Sequence, residues 1–233
     1  MRLTVIRKIF IVACVLPPLF MVSGCKNSAI DENNIITSDE EGSTSINLQN
    51  LESALESIAP GEVNQSEIDG LLFMREEEKL AHDVYTMLYE LWSERAFDNI
   101  SNSEKTHTDA ILLLLNRYNL EDPAEGNEIG VFTNTKLQDL YNTLVASGSA
   151  SLIDALMVGA AIEEIDLIDI QNYLTQVEDN DDIVSVYENL MKGSRNHLRS
   201  FVKKLDNQGI TYSPQYLEQS VYDAIINSPI ERG

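Results

Sequence analysis

Apolar positions recur at steps of three and four along most of the chain beyond residue 66, the spacing that builds one face of a helix. Ile68, Leu71, Leu72, Ala81, Tyr85, Leu88 and Trp92 form the first stripe and predict a helix over 66–95. Ser66 and Asp69 stand at capping-box spacing at its start. Ile100, Ile111, Leu114 and Leu115 predict a second helix over 99–119, and two more long helices are expected over 151–176 and 181–207. Only a few residues separate the first helix from the second and the third from the fourth, so each pair should fold back on itself. Between the pairs lies a polar crossing with Pro123, Gly126 and Gly130, then a smaller helix over 134–146 carrying Leu137, Leu140, Tyr141 and Leu144. The fold class expected is all-α: a four-helix bundle whose long crossover contains an extra helix, with an extended stretch and a final helix over 212–226 packed outside. Leu48, Leu51, Leu55 and Ile58 add a short helix upstream, stopped by Pro60-Gly61.

The long stripes are not purely apolar. Glu78 sits on the first, Glu104 and His107 on the second, Glu163 on the third and His197 on the fourth. Glu104 and His107 form an E-x-x-H pair, and residues three apart share a helix face. Gly159, one turn before Glu163, leaves room beside it, and Asp166, three residues on, is also on the inner side. Glu164 is a rival to Glu163, since adjacent glutamates cannot both face inward. Buried ionisable groups are costly unless paired or metal-bound, and a di-metal carboxylate site would account for all of them at once.

Each group also has a plainer account. Glu104 is the third residue of a capping box opened by Ser101, and His197 could be a satisfied core histidine. Glu76-Glu77-Glu78 reads as a solvated face with one member turned in. His82 fits a supporting or surface role, and Tyr85 and Tyr118 read as core aromatics, with redox activity near iron as the alternative. The joint pattern, one set of candidate ligands on each of four helices, is what favours a metal.

Charge and the N-terminus narrow the setting. Arg2, Arg7 and Lys8 precede an apolar run from Ile9 to Val22, broken by Pro17 and Pro18 and too short to span a membrane comfortably. Val22-Ser23-Gly24-Cys25 resembles the lipobox of bacterial lipoproteins, which implies cleavage before Cys25 and lipidation of its sulfur; an ordinary signal peptide is the alternative. Loss of residues 1–25 would remove three positive charges from a net charge of −22, leaving −25. So acidic a body argues against nucleic acid or an anionic membrane surface as partner. Cys14 and Cys25 are the only cysteines, so the remaining chain has none for a disulfide, a thiolate-bound zinc or an iron–sulfur cluster. Residues 26–65 read as an acidic flexible tether holding the short helix, with Asp31, Glu32, Asp39, Glu40 and Glu41 among few apolar residues. The folded domain is expected over 66–230.

Two segments carry a family resemblance. Glu78-x-x-Ala81-x-x-x-Tyr85 resembles the first iron-binding helix of rubrerythrins, and Ile100-x-x-x-Glu104-x-x-His107 resembles the second. The runs Arg75 to Ala81, Gly159 to Glu164 and Gly193 to His197 resemble an uncharacterised ferritin-like family of bacteria and archaea, over roughly 66–230. That resemblance implies a ferritin-like bundle with a di-iron centre, manganese being the alternative metal. By position it implies metal ligation by Glu78, Glu104, His107, Glu163 and His197, with Asp166 as a weaker auxiliary. One departure stands out: the fourth helix of a standard di-iron bundle has its own E-x-x-H, and here Ser194 precedes His197 by three. Three alternatives follow: Asp166 stands in for the missing carboxylate, water fills the gap, or the site holds one ion.

The expected function is an envelope-anchored oxidoreductase that reduces peroxide or oxidises ferrous iron. The alternative is a non-catalytic acidic lipoprotein that sequesters metal or binds a partner. Expected partners are the lipid membrane through Cys25 and a separate electron donor, since no C-x-x-C pair is present; a homodimer is allowed. Lys26 after the cysteine resembles outer-membrane sorting where the source has two membranes.

Overall fold

The computed structural model describes residues 35–232. The expected signal segment, the expected Cys25 anchor and the first part of the expected tether therefore lie outside the described residues. Within them the protein is mostly helical. A hairpin of β1 (Ile36–Ser38) and β2 (Thr44–Ile46) is followed by α1 (Leu48–Glu56), α2 (Gln65–Trp92), α3 (Arg95–Arg117), α4 (Thr135–Gly148), α5 (Leu152–Leu174), α6 (Asp181–Asn207) and α7 (Gln219–Ile226). None of these helices is long and apolar enough to cross a membrane.

Helix α2 packs along α3 and α5 along α6, with further contacts of α2 to α5 and of α3 to α6. Two residues join α2 to α3: Ser93 ends one in the left-handed region, at φ 53°, and Glu94 caps the next. The caps differ from those expected. Asn64, not Ser66, opens α2, in a reciprocal capping box with Glu67. The other oxygen of Glu67 accepts from the Glu178 backbone and the Asn180 side chain, each at 2.9 Å, tying that helix start to the α5–α6 turn. Helix α3 begins at Arg95 rather than 99, so Glu104 lies well inside it and is no capping residue.

The triplet expected to be mostly solvated is not: Glu76, Glu77 and Glu78 are all buried. Glu76 accepts the Thr133 and Asn134 amides at 2.5 and 2.9 Å, so one carboxylate anchors the crossover and the start of α4. Glu164 is likewise turned inward, to a different place from Glu163. It accepts from the Tyr212 hydroxyl and from the amides of Gln215, Tyr216 and Leu217, fixing the segment that leads to α7.

The tether expectation needs correction for residues 35–47. Ile35, Ile36, Thr44 and Ile46 are buried, and β2 lies against α3 and α6. The segment is too polar to form a core of its own. It instead adds three isoleucines to an existing apolar cluster, and its outward backbone groups find partners on the helices, as where the Ile46 amide donates to Thr106 Oγ1 at 2.8 Å.

Replacing Glu164 with Ala leaves three amides and a buried phenol without their acceptor. The expected loss is roughly 3 kcal/mol, the scale for removing a charged acceptor from buried donors. Chemical denaturation of wild type and variant measures it; an unchanged midpoint would contradict the anchoring role.

Candidate metal centre

Two apolar clusters divide the helices into layers. One holds Leu71, Met74, Ala110, Ile111, Leu114, Ile183, Val186 and Leu190; the other holds Leu80, Tyr85, Leu88, Phe97, Ile100, Leu198 and Phe201. On α2, α3 and α6 the residues between these layers are Glu78, Glu104 with His107, and Ser194 with His197. Helix α5 adds Glu163 and Asp166. All of these side chains are buried, the two imidazoles completely.

Glu104 sits between the histidines. Its Oε2 is 2.8 Å from His107 Nδ1 and its Oε1 is 2.8 Å from His197 Nδ1. Glu78 flanks the first imidazole at 3.5 Å and Glu163 the second at 3.6 Å. The rings stack with centroids 5.4 Å apart and planes 18° from parallel. One ligand atom from each of Glu104, His107 and His197 lies within 4.8 Å of the others. The arrangement is nearly two-fold: a glutamate and a histidine from α2 and α3, a glutamate and a histidine from α5 and α6, and Glu104 across the middle.

Asp166 meets Ser194, which donates to its Oδ2. The negative charges of Glu78 and Glu163, and then of Glu104, act on Asp166. Thus the carboxylate that α6 lacks is matched by one from α5. Ser194 Oγ also lies 2.9 Å from the Leu190 carbonyl, so its single proton is shared between the two acceptors and its hydroxyl is held in the helix groove.

The test of fit lies in the orphaned atoms. Glu78 Oε1, His107 Nδ1, Asp166 Oδ1 and His197 Nδ1 are buried and make no hydrogen bond. Both imidazole nitrogens are close to carboxylate oxygens, but they are not aligned to donate to them. Native proteins rarely leave buried polar atoms unsatisfied. Ligand-type atoms that crowd together without hydrogen-bond geometry are what a cation between them would need, and the donor set fits one.

Electrostatics agrees. Burial pushes Glu78 and Glu163 up to about 7. Burial also opposes ionisation of Glu104, but the two imidazoles overcome it and hold that carboxyl well below the usual range. Burial pulls the imidazoles down; Glu104 reverses this, taking His107 well above its ordinary value and His197 to about 9. Asp166 is raised well above the usual carboxylate range, by burial first and then by its negative neighbours.

Several surrounding groups shape the centre. Tyr85 donates to Glu163 Oε1 at 2.6 Å, and burial keeps its phenol protonated. Gly193 faces His107: a Cβ there would come within 2.4 Å of the ring. Thr44, from the hairpin, reaches both histidines through its backbone. His82 pairs with Asp83, which is turned to the crossover at Gly130, and Tyr118 bonds Asp182 at the far end of α3, so neither belongs to the cluster. Gly193 had a signal in the sequence, a glycine one turn before His197. Thr44 had none, being about 60 residues before Glu104 and His107 in a segment read as tether.

The fold and site define a mostly helical protein with a buried carboxylate–imidazole cluster suited to a cation. A family model described as an uncharacterized protein domain (DUF2202) matches residues 67–229, and the chain belongs to that family. It is 51% identical over 171 residues to uncharacterized protein MJ0754 of Methanocaldococcus jannaschii, spanning 73% of this chain and 92% of that protein. A crystal structure of hypothetical protein MJ0754 from Methanococcus jannaschii is similar with a TM-score of 0.73 and 48% identity, covering 75% of this chain and 99% of the other. The matched interval of the family model begins beyond the hairpin that carries Thr44.

These shifts set a pH dependence for the metal-free protein. Glu78 and Glu163 bind protons more tightly folded than unfolded, between about 4.5 and 7, and His197 does so between about 6.5 and 9. A raised folded pKa gives stability that is complete below the unfolded value and is lost as pH rises through the folded one. Stability of metal-free protein should therefore fall from pH 5 to pH 9, the reverse of a carboxylate held by salt bridges. Melting temperatures measured across that range check it; a rise toward pH 9 would contradict the assignment.

Proposed function

We propose that this protein is a ferritin-like four-helix bundle that binds two iron ions, or two manganese ions, between α2, α3, α5 and α6. On this reading it is an oxidoreductase anchored to the cell envelope through lipid on Cys25. The observation that carries the proposal is the convergence of buried, unsatisfied ligand atoms from Glu78, His107, Asp166 and His197 around Glu104. Glu78, Glu104, Glu163 and Asp166 together would balance two divalent ions, which makes a two-ion site electrically neutral. Carboxylate oxygens with a minority of imidazole nitrogens suit iron or manganese better than zinc or copper.

When bound, such a pair of ions supplies two electrons for reducing peroxide or dioxygen, or takes part in oxidising ferrous iron. The protein's contribution is to hold the ligands and control protons. The apolar layers keep bulk water away and strengthen each charge interaction. Tyr85 orients Glu163 and offers a proton at its hydroxyl, and Ser194 orients Asp166. A separate donor would have to bring electrons.

A second reading, sequestration without turnover, is favoured by one observation: the carboxylates are nearly closed off and the imidazoles wholly so. Peroxide consumption or ferrous oxidation by the iron-loaded protein separates the two.

Elemental analysis of protein produced with iron available should give between one and two iron or manganese ions per chain. Glu104→Ala and His107→Ala should lower that content several-fold. They should also abolish stabilisation by added metal, which for wild type should reach about 2.7 kcal/mol once free metal is a hundredfold above its dissociation constant. Wild-type protein that stays metal-free, with a melting temperature unmoved by iron and manganese, would defeat the proposal.

The envelope assignment has its own test. Cys25→Ala should shift the protein from the membrane fraction and end its labelling by fatty acid; a variant still processed and labelled would rule out the anchor.

A further inference from the structure

We propose that the cavity bordered by the hairpin, the start of α3 and the end of α6 binds a small organic anion, its carboxylate or phosphate head on Arg95 and its carbon body against Ala96 and Ile100. The cavity measures about 410 Å³, within the range usual for small-molecule sites. Glu41 and Ser43 of the hairpin form one wall, so the site is completed by residues outside the matched family interval. It does not rest on the metal reading.

Charge selects the ligand. The chain has 38 acidic and 16 basic residues, so an arginine has no shortage of carboxylates to pair with. Arg75, Arg117, Arg195, Arg199 and Arg232 each take one. Arg95 is the one arginine among the described residues with neither an ion pair nor a side-chain hydrogen bond, and it lines the cavity. A guanidinium left open presents a planar fork of donors that matches the oxygens of a carboxylate or phosphate. Lys204 adds charge nearby but is already held by Glu94 at 3.1 Å. Glu41 is the acid on the lining; its side chain is 52% exposed and stands 3.6 Å from Lys203 and from Lys204. Exposed pairs at that separation hold weakly, so an incoming anion can displace this carboxylate.

Ser200 points to a ligand independently. It is only 3% exposed, it lines the cavity, and its hydroxyl makes no hydrogen bond within the described protein. A serine or threonine inside a helix ordinarily bonds the carbonyl four residues back, as Thr86 does with His82 at 2.8 Å. Ser200 does not, and a buried hydroxyl without a partner costs free energy that a ligand in the cavity would recover. The side-chain amide of Asn99, half-buried on the same lining, is also without a hydrogen bond. Ser43 is fixed instead as wall, its Oγ 2.8 Å from Ser103 Oγ and 3.2 Å from the Asn99 carbonyl. Ala96 and Ile100 are buried and give the cavity an apolar side. A short carbon body with an anionic head and a hydroxyl meets all of these groups. A bare inorganic ion on Arg95 would leave the apolar side uncovered.

The test is calorimetric titration of full-length, chelator-treated protein at constant ionic strength. Malate serves as the carboxylate probe, glycerol 3-phosphate as the phosphate probe and glycerol as the uncharged one. At least one anion should bind saturably, one per chain, and glycerol should not; the tighter anion identifies the head group. Arg95→Gln should weaken that binding about tenfold, the scale of one charge-assisted contact. Ser200→Ala should weaken it several-fold, and Glu41→Gln should tighten it by removing the competing carboxylate. Arg95 is exposed, so its replacement leaves the fold intact. Lys136→Gln removes another exposed charge, at the start of α4, and should change nothing. Three results would overturn the site: no binding of either anion, glycerol binding as well as they do, or a loss from Lys136→Gln as large as that from Arg95→Gln. Because no metal is present in the titration, anion binding would stand even in a protein that takes up no iron or manganese. Metal uptake without anion binding would refute this site alone.

Discussion

Everything in the centre follows from the cost of holding Glu104 ionised in a dry core. A lone carboxylate there would take up a proton. Glu104 stays charged because two imidazoles face its two oxygens at 2.8 Å. The same contact raises both histidines and thereby makes the cluster a store of protons as well as of lone pairs. Glu78 and Glu163 stand one step further out, without an imidazole as close, and burial keeps their protons on to about 7. The gradient from the central carboxylate to the flanking ones is thus a consequence of distance to the histidines. On the proposed reading, a divalent ion replaces those protons and relieves the repulsion among the acids.

The layers above and below make that arrangement tolerable. Met74 and Leu190 lie on one side, Tyr85, Phe97 and Phe201 on the other, and the three rings pack with centroids 5.2 to 6.2 Å apart. These contacts supply the apolar burial that can offset desolvating six ionisable groups. The polar layer is closed at its side by the hairpin, whose own side chains are mostly small and hydroxylated. Ser43 and Ser45 meet Ser103 on α3, and Thr44 meets Asn196 on α6. Glu231, near the other end of the chain, ties Arg195 and Arg199 to the same place. The two ends of the described chain are thereby joined over the histidines.

The helices were legible in the sequence because each buries a continuous stripe; boundaries moved only where caps were misread. Glu67 could not be told from an ordinary helix-start acid, and Glu94, which is not one of the preferred N-cap types, gives no signal for the first turn of α3. Glu78, Glu104, His107, Glu163 and His197 could be picked out because an ionisable group on an apolar stripe is unusual wherever it occurs. What failed was inference from local polarity. Glu76 and Glu77 look solvated beside Glu78, yet their partners are amides of the crossover and a second carboxyl, Asp169, on α5. Residues 35–47 look unable to fold because their burial depends on surfaces supplied 60 to 150 residues later. Local composition carries no record of a remote partner.

Ser194 is the most informative of these cases. Judged along α6 alone, a serine three before His197 looks like a lost ligand and a decayed site. In three dimensions its hydroxyl donates to Asp166, and the oxygen of Asp166 that remains free is buried and unsatisfied. On the proposed two-ion reading, a glutamate at 194 would put two carboxylates into one space beside Glu78 and Glu163, adding a charge that two divalent ions could not balance. Serine at 194 and aspartate at 166 are therefore complementary: one gives up the charge and supplies a donor, the other brings the charge from the neighbouring helix. The i, i+3 relation of Asp166 to Glu163 places both acids of that half on α5, with α6 left to present His197 alone.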